Sequence, residues 1–220
     1  MASIAVENYL KHILLLAEAS DELVSMGALA QSLQVVPGTA TTMVKALADE
    51  GLVEHRPRQG VRLTDAGRRV ALGVIRRHRL VETFLVNVLG MDWAGVHAEA
   101  ERLEHAISDE VLDRLDALLG HPASDPHGDP IPSAQGKLRE QVYATLATCA
   151  TAKPLRVVRI TEQTAEFLQF AQTHGLQPGA TVGIAERNLA AGLVTMKRTG
   201  GRPVALSLAA AGKILVEPAR

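Results

Sequence analysis

The sequence predicts a mainly α-helical protein with a small β domain: a winged helix-turn-helix first, a helical domain second, and a small SH3-like β-barrel last. Two observations carry this fold class. Apolar residues recur three or four positions apart as far as Thr148, whereas beyond Lys153-Pro154 they form short runs typical of strands. A short basic ribbon also follows the first helices. We expect domains over residues 1–73, 74–153 and 154–220.

The first domain is predicted to hold three helices and a two-stranded ribbon. Val35-Val36-Pro37-Gly38 is expected to be the turn before the third helix, because Pro and Gly punctuate helices. The ribbon is expected around Pro57-Arg58-Gln59-Gly60, and Thr64 is expected to cap the next helix. The predicted helices cover residues 6–19, 26–33 and 39–50, and the strands cover residues 52–56 and 61–63. This order is typical of a winged helix-turn-helix.

Helices are also expected in the second domain, and strands in the third. Four prolines exclude a helix from residues 120–133. In the β domain, Gly175 is expected to end the one helix, and Gly200-Gly201 is typical of a hairpin turn. The remaining predicted helices cover residues 74–89, 93–119, 134–148 and 164–174, and the strands cover residues 156–160, 181–184, 193–198, 204–208 and 213–216.

The net charge is only −1, but the charges are unevenly distributed. Residues 45–79 contain nine Lys or Arg and four Asp or Glu, whereas residues 92–129 contain ten Asp or Glu, two Arg and four of the eight His. This distribution indicates that the basic region binds an anion and that the acidic, His-rich region binds a cation. No apolar run could span a bilayer, no signal peptide is recognisable, and the single cysteine, Cys149, excludes an intrachain disulfide. We therefore expect a cytoplasmic protein with no membrane partner.

The third predicted helix and the ribbon carry candidate DNA contacts. Small hydroxyl side chains near the start of a recognition helix can approach base edges and thymine methyl groups, while Lys and Arg contact phosphates. The candidates are Thr39, Thr41, Thr42, Lys45, Arg56, Arg58 and Arg62. Any one of them could simply solvate an exposed face. Their order along helix, turn, helix and ribbon favours binding to double-stranded DNA, with a protein contact as the alternative.

The predicted helix over residues 93–119 carries candidate metal ligands on one face, since positions three or four apart lie together on a helix. The preceding helix carries two more at a spacing of four. Opposed faces would bring all six together, and ligation would offset the cost of burying their charges. An oxygen and nitrogen ligand set suits Mn(II) or Fe(II), although affinity alone favours Zn or Cu. The alternative is an acidic face closed by salt bridges. The candidates are His97, Glu101, Glu104, His105, His78 and Glu82.

A helical metal-dependent enzyme is another alternative. Di-metal oxidases use paired Glu-x-x-His motifs, and no Glu in either helix has a His three residues later. The chain also lacks His-Glu-x-x-His, a Gly-rich phosphate loop and a serine-nucleophile elbow. We therefore expect neither catalysis nor an organic substrate.

Several segments resemble the diphtheria toxin repressor and manganese transport regulator family. The similarity runs over about residues 4–150, and the last domain resembles the family's SH3-like, FeoA-type module. The matching segments are Val6-Glu7-Asn8-Tyr9-Leu10, the helix-turn-helix through Glu50-Gly51-Leu52-Val53, His78-Arg79-Leu80-Val81-Glu82, Val96-His97 through Glu104-His105 with Ser108-Asp109-Glu110, and Pro126-His127-Gly128 to Ile131-Pro132.

The resemblance implies a homodimer that binds palindromic operator DNA once a divalent metal is bound. It also implies two metal sites per subunit. The first maps to Asn8, Glu101, Glu104 and His105, with Glu7 or water as alternatives to Asn8. The second maps to His78, Glu82 and His97, with His127 and the third-domain residue Glu162 as further ligands and Glu166 as the rival of Glu162.

Two positions of the implied first site indicate which metal the protein prefers. Iron-sensing members carry Cys where this chain has Glu101 and Met where it has Asn8, whereas manganese-sensing members carry Glu and Asp. The harder ligand at position 101 favours Mn(II), with Fe(II) as the other candidate. The resemblance thus implies a manganese-responsive repressor of metal-uptake genes. The alternative is a winged-helix regulator that senses a non-metal ligand, with the acidic helix serving only dimerisation.

Overall fold

The structure, a computed structural model, describes residues 3–18, 23–138, 141–150, 153–197 and 202–219. The chain forms two compact units. The first comprises Met1–His78, Glu104–Ile107 and Pro132–Leu138, and the second comprises Arg79–Leu103, Ser108–Ile131 and Arg139–Arg220. The predicted domain limits at residues 73 and 153 stay a prediction.

The first unit contains the expected helix-turn-helix and wing. Its helices pack through buried apolar residues such as Leu10, Leu29 and Leu47. The wing strands pair antiparallel, from Val53 opposite Leu63 to Arg56 opposite Gly60. The elements are α1 (Ile4–Glu18), α2 (Met26–Ser32), α3 (Pro37–Asp49), β1 (Val53–Arg56), β2 (Gly60–Leu63) and the start of α4 (Asp65–Asn87).

Helices α3 and α4 each include a residue that often ends helices, and their limits differ from the prediction for that reason. Helix α3 begins at Pro37 rather than at residue 39, since proline fits the first helical turn, where no backbone N–H is needed. Helix α4 runs unbroken through Gly73, where a domain limit was expected. Thr64 does cap α4, because its hydroxyl accepts the Gly67 N–H at 3.2 Å.

The long helix predicted over residues 93–119 is wrong. In the second unit this stretch forms two helices, α5 (His97–Leu103) and α6 (Asp109–Leu118). Ser108 begins α6 as its N-cap, with its hydroxyl accepting the Val111 N–H at 3.3 Å. A serine that bonds to the backbone in this way competes with continuous helix.

The helix predicted over residues 134–148 is also absent from the described residues. Gly136 has φ +69°, which ends any helical path there. Further along, the strand β3 (Ala144–Thr145) pairs antiparallel with the last strand of the chain.

The C-terminal part of the second unit contains β4 (Leu155–Ile160), α7 (Ala165–Thr173), β5 (Thr181–Asn188), β6 (Leu193–Lys197), β7 (Val204–Ser207), α8 (Leu208–Ala211) and β8 (Ile214–Pro218). Among the described residues, its strands and β3 form a six-stranded antiparallel sheet in the order β3-β8-β4-β5-β6-β7. Its apolar core includes Leu146, Ile160, Leu168 and Met196. The predicted turn at Gly200-Gly201 lies outside the described residues. None of the helices within the described ranges has the length and apolar character needed to cross a membrane.

Candidate metal-binding and DNA-binding sites

A polar cluster in the first unit forms around the carboxylate of Glu104, which is 0% exposed. His78 Nδ1 lies 2.5 Å from Glu104 Oε2, and His105 Nε2 lies 3.2 Å from Oε1. The ammonium of Lys11, on α1, donates to both oxygens at 3.0 and 2.9 Å. We call Lys11, His78, Glu104 and His105, together with Glu7 and Asn8, the Glu104 cluster.

Helix α1 brings two further ligand types to His105. Asn8 Oδ1 lies 2.8 Å from His105 Nε2, and Glu7 Oε2 lies 2.6 Å from Nδ1. Glu7 also accepts a hydrogen bond from Arg77 at 2.7 Å. The structure thus brings Asn8, Glu104 and His105 together, with Glu7, the alternative to Asn8, also beside His105. Glu101 lies on α5 in the second unit.

The pKa of Glu104 reflects this environment. Burial on its own would raise the pKa of the carboxyl, but the hydrogen bond from His78 and the charge of Lys11 outweigh burial and hold the pKa below its ordinary value. Glu104 is therefore a carboxylate kept charged inside the protein by cationic neighbours. A divalent ion would stabilise the same charge, so the donor set fits a metal.

A second cluster, in the second unit, joins Glu82, Asp125 and His127. One ligand atom from each lies within 4.8 Å of the others, and all three residues are buried. His97 Nδ1 also lies 3.1 Å from Glu82 Oε1. We call these four residues the Glu82 cluster.

His127 is oriented in the way expected of a metal ligand. Its Nε2 lies 3.0 Å from the carbonyl oxygen of Trp93, so the Nε2–H donates there. The other nitrogen, Nδ1, is buried without a hydrogen-bond partner among the described residues, and it lies 3.7 Å from Glu82 Oε2. Metal-bound histidines typically donate their second N–H to such an acceptor, which fixes the tautomer.

The loop that carries His127 is held by a tight turn. Asp125 Oδ1 accepts the backbone N–H groups of His127 and Asp129 at 2.8 and 2.9 Å. Gly128 has φ +91°, and a Cβ there would collide with the carbonyl oxygen of Val158. Only glycine meets both requirements.

Carboxylates are crowded at the Glu82 cluster, and the guanidinium of Arg79, 3.8 Å from Asp125 Oδ2, offsets their charge only in part. Burial and the neighbouring charges of Asp129 and Glu82 raise the pKa of Asp125 to about 7. Burial would lower the pKa of His127, but the close approach and charge of Glu82, together with the charge of Asp125, raise it. Carboxylates crowded in this way favour a bound cation.

Two predicted ligands have other partners. Glu162 Oε2 accepts a hydrogen bond from Lys213 at 2.9 Å, and this bond holds the pKa of Glu162 below its usual value. His78 contacts Glu104 in the first unit, and its assignment to the second site stays a prediction. Glu166 is exposed in the first turn of α7.

Sequence reasoning missed two residues. Asp125 stands two positions before His127 in Asp-Pro-His-Gly-Asp, a turn-forming pattern that could have drawn attention to it. No sequence signal indicated Lys11, because a single lysine on a helix is ordinarily a surface residue.

The recognition helix and wing present the candidate DNA contacts to solvent. Thr39, Thr42 and Lys45 are exposed on α3 opposite the buried Val44 and Leu47. Thr41 is half-buried, and its hydroxyl and that of Thr42 donate to the carbonyl oxygens of Pro37 and Gly38 at 2.8 and 3.0 Å, which leaves their methyl groups available.

On the wing, Arg56 and Arg58 are exposed, and Arg58 occupies the tip with φ +66°. Arg62 already pairs with Glu54 across the two strands, with its Nη2 2.6 Å from Oε2. A phosphate contact by Arg62 would therefore compete with this pair.

Three family models match consecutive parts of the chain. The model described as iron dependent repressor, N-terminal DNA binding domain, matches residues 1–61. The model of the iron dependent repressor metal binding and dimerisation domain matches residues 64–133, and the FeoA domain model matches residues 144–218.

Named relatives extend this match. The iron-dependent repressor IdeR of Mycobacterium leprae is 37% identical over 134 residues, which cover 61% of this chain and 55% of that protein. The match thus spans only about half of that relative's length. The diphtheria toxin repressor of Corynebacterium diphtheriae is 32% identical over 183 residues, 78% of this chain and 79% of that repressor. The chain belongs to the diphtheria toxin repressor family.

Solved structures of this family agree in fold. A manganese-dependent transcriptional repressor in complex with manganese has a TM-score of 0.88 at 40% identity, covering 97% of this chain and 100% of its own. ScaR with bound Zn²⁺ has a TM-score of 0.78 at 33% identity, covering 97% and 99%. The family and the fold class predicted from sequence are confirmed. The diphtheria toxin repressor family consists of metal-dependent transcriptional repressors, so the prediction that the chain is not an enzyme is confirmed as well.

Proposed function

We propose that the chain is a repressor that binds a palindromic operator as a homodimer when Mn(II), or alternatively Fe(II), occupies sites in both clusters. The observation that carries this proposal is the buried carboxylate of Glu104 in the same compact unit as the helix-turn-helix. A charged group so placed couples the occupancy of a cation site to the arrangement of the DNA-binding elements.

At the Glu104 cluster, Glu104 and His105 with Asn8 or Glu7 would hold one ion. Bound there, the ion supplies positive charge that joins α1 to residues 104 and 105. These side chains are hard oxygen and nitrogen donors without a thiolate, which suits Mn(II). Holding α1 would fix α2 and β2, which pack against it, and through α2 the helix α3, so that α3 and the wing present their DNA contacts in one arrangement.

At the Glu82 cluster, Glu82, Asp125 and His127 would hold a second ion, with His97 as a neighbour. The buried Nδ1 of His127 and the raised pKa of Asp125 support this assignment. The family resemblance also makes Glu101 and Glu162 candidate metal ligands. It further supports the proposal that the chain controls metal-uptake genes.

Dimer formation is proposed through the second unit. Val88 and Leu89, just beyond α4, and Val111 and Leu118, on α6, are between 47% and 65% exposed. Apolar side chains at this density on neighbouring positions are typical of an association surface. The family model that matches this part of the chain describes a metal binding and dimerisation domain.

The test is a DNA-binding assay with and without metal. Duplexes selected from a randomised library with Mn(II)-loaded protein are retested by gel shift with Mn(II), Fe(II), Zn(II) or chelator at one stated salt concentration, since phosphate contacts make affinity salt-dependent. We expect retention only with metal, and selected sequences with two-fold symmetry. Equal binding in chelator would contradict the proposal and favour a regulator of another kind.

Two matched substitutions test whether metal-dependent DNA binding depends on the Glu104 cluster. Glu104→Gln keeps the side-chain shape but removes the charge, so metal-dependent retention should fall at least about tenfold. Glu186→Gln, at an exposed position on β5, makes the same chemical change and should leave retention unaltered. Equal effects of the two substitutions would remove Glu104 from the proposed site.

A further inference from the structure

Lys11 stands out in the Glu104 cluster because it is buried and cannot itself be a metal ligand. Its side chain is 4% exposed, and its ammonium lies 3.0 and 2.9 Å from the two oxygens of Glu104. A protonated lysine has three donors and no lone pair, so it satisfies the carboxylate without being able to coordinate a cation.

Basic groups face both oxygens of Glu104. A carboxylate offers about four lone-pair positions, and Lys11 takes one on each oxygen. His78 Nδ1 lies 2.5 Å from Oε2 and takes a third, and His105 Nε2, which lies 2.8 Å from Asn8 Oδ1, is 3.2 Å from Oε1. A metal ion that binds either oxygen of Glu104 therefore competes with the ammonium of Lys11.

The three groups differ in what they can do when a cation arrives. His78 and His105 each have a second nitrogen and can bind a metal as neutral imidazoles. Lys11 can only repel the ion, since two positive charges within about 4 Å interact unfavourably even at a high effective dielectric constant. Lys11 is therefore the group that has to leave.

We propose that Lys11 is a built-in competitor that occupies the carboxylate of Glu104 in place of the metal ion and sets the metal concentration at which the protein responds. The inference rests on the proposed metal site at Glu104. In the metal-free protein the ammonium stabilises the buried carboxylate, so the fold does not need the ion. Metal binding then requires the still-charged ammonium to be displaced, which weakens the observed affinity.

The test compares Mn(II) binding by Lys11→Met, Lys11→Gln and the unaltered chain, using equilibrium dialysis and the electron paramagnetic resonance signal of the free ion. Lys11→Met is close in length and uncharged, so one binding step should become at least about tenfold tighter. Lys11→Gln can still donate a hydrogen bond to Glu104, so it provides a second variant if Lys11→Met folds poorly. Its increase in Mn(II) affinity should be smaller than that of Lys11→Met. The step assigned to the Glu82 cluster should not change.

Lys137→Met is the matched control. Lys137 is exposed in the same unit, and its substitution removes the same charge. If it tightened binding as much as Lys11→Met, long-range charge rather than competition would be responsible, and the inference would be overturned.

A second readout is the thermal midpoint with and without Mn(II). Without metal, Lys11→Met should melt lower than the unaltered chain because Glu104 loses its countercharge. With saturating Mn(II) the gap should close, since the ion replaces that charge. A purely structural lysine would lower both midpoints equally and leave affinity unchanged, which would overturn the inference while the proposed function stood. Failure of every protein to bind Mn(II) would overturn both.

Discussion

At the scale of single residues, the two clusters balance buried carboxylates in opposite ways. Glu104 has a lysine and two histidines against its oxygens, and its pKa lies below the ordinary value. Asp125 faces Glu82 and Asp129, and burial with these two charges raises its pKa to about 7. The first cluster contains its own cation, whereas in the second the guanidinium of Arg79, 3.8 Å from Asp125 Oδ2, only partly offsets the crowded carboxylates. A metal ion would displace a charge in the first cluster and add one to the second.

Asp125→Asn tests the second cluster without disturbing its loop. The amide oxygen can still accept the N–H groups of His127 and Asp129, so the turn should persist. The lost negative charge should weaken one Mn(II) binding step by at least about tenfold, as in other metal sites where a supporting group is altered. Isothermal titration measures the two steps separately.

Asp113→Asn, on the exposed face of α6, is the control for that substitution. It changes net charge by the same amount in the same unit and should leave both steps as they are. Two unaltered steps in Asp125→Asn would exclude Asp125 as a ligand.

At the scale of elements, the sequence patterns predicted those helices and strands that depend on interactions between residues close together in the chain. The recognition helix and wing follow from short apolar repeats and turn residues, and their limits are within two residues of the prediction. The break between α5 and α6 was missed because the apolar spacing continues across Ser108, and only its capping bond shows the interruption. The Glu104 cluster was predicted in part, since helical spacing indicated Glu104, His105 and His78 and the resemblance supplied Asn8. The pairing of Lys11 with Glu104 joins residues far apart in sequence, which no periodicity reveals.

The start of α4 offers a matched pair of glycines in one helix. A Cβ on Gly67 would collide with the carbonyl oxygen of Leu52, whereas a Cβ on Gly73 would have no heavy atom within 4 Å. Gly67→Ala should therefore lower the free energy of unfolding by about 1–3 kcal/mol through overpacking. Gly73→Ala should raise it by about 0.5–1 kcal/mol, the ordinary gain of alanine over glycine within a helix.

Urea denaturation followed by circular dichroism measures both changes. Because the two substitutions are chemically identical, helix propensity cancels between them. Similar unfolding free energies for both variants would mean that α4 does not approach Leu52 as described.

A substitution at the wing tip should change DNA affinity without lowering the stability of the fold. Arg58 has φ +66°, a conformation that costs a residue with a side chain about 1–2 kcal/mol and that glycine adopts freely. Arg58→Gly should thus leave the wing at least as stable while removing one phosphate contact. The proposed homodimer loses one such contact from each chain, so the slope of log affinity against log salt should become shallower by about 1.8, which is 0.9 for each chain. Fluorescence anisotropy over a range of KCl concentrations measures it, with Arg202→Gly, at an exposed position before β7 in the second unit, expected to keep the original slope. An unaltered slope in Arg58→Gly would remove Arg58 from the interface.

At the scale of the whole molecule, one chain provides one recognition helix. A palindromic operator presents two half-sites about 34–36 Å apart, so two chains must be held together for both helices to bind at once. The affinity gained by joining them depends on their staying associated at working concentration. The exposed apolar residues at the end of α4 and on α6 are therefore as necessary to the proposed function as the metal ligands.

Leu118→Asp tests this association surface. Leu118 is 65% exposed on α6, so a charge there should leave the monomer folded, yet desolvating an unpaired carboxylate at an interface is costly. We expect sedimentation equilibrium to show a shift from dimer to monomer, and operator affinity to fall while Mn(II) binding is retained. Leu189→Asp is the control, since Leu189 is 70% exposed beyond β5 and the same change there should leave the dimer intact. A Leu118→Asp protein that remained dimeric would place the interface elsewhere, and one that bound operator normally as a monomer would contradict the requirement for two chains.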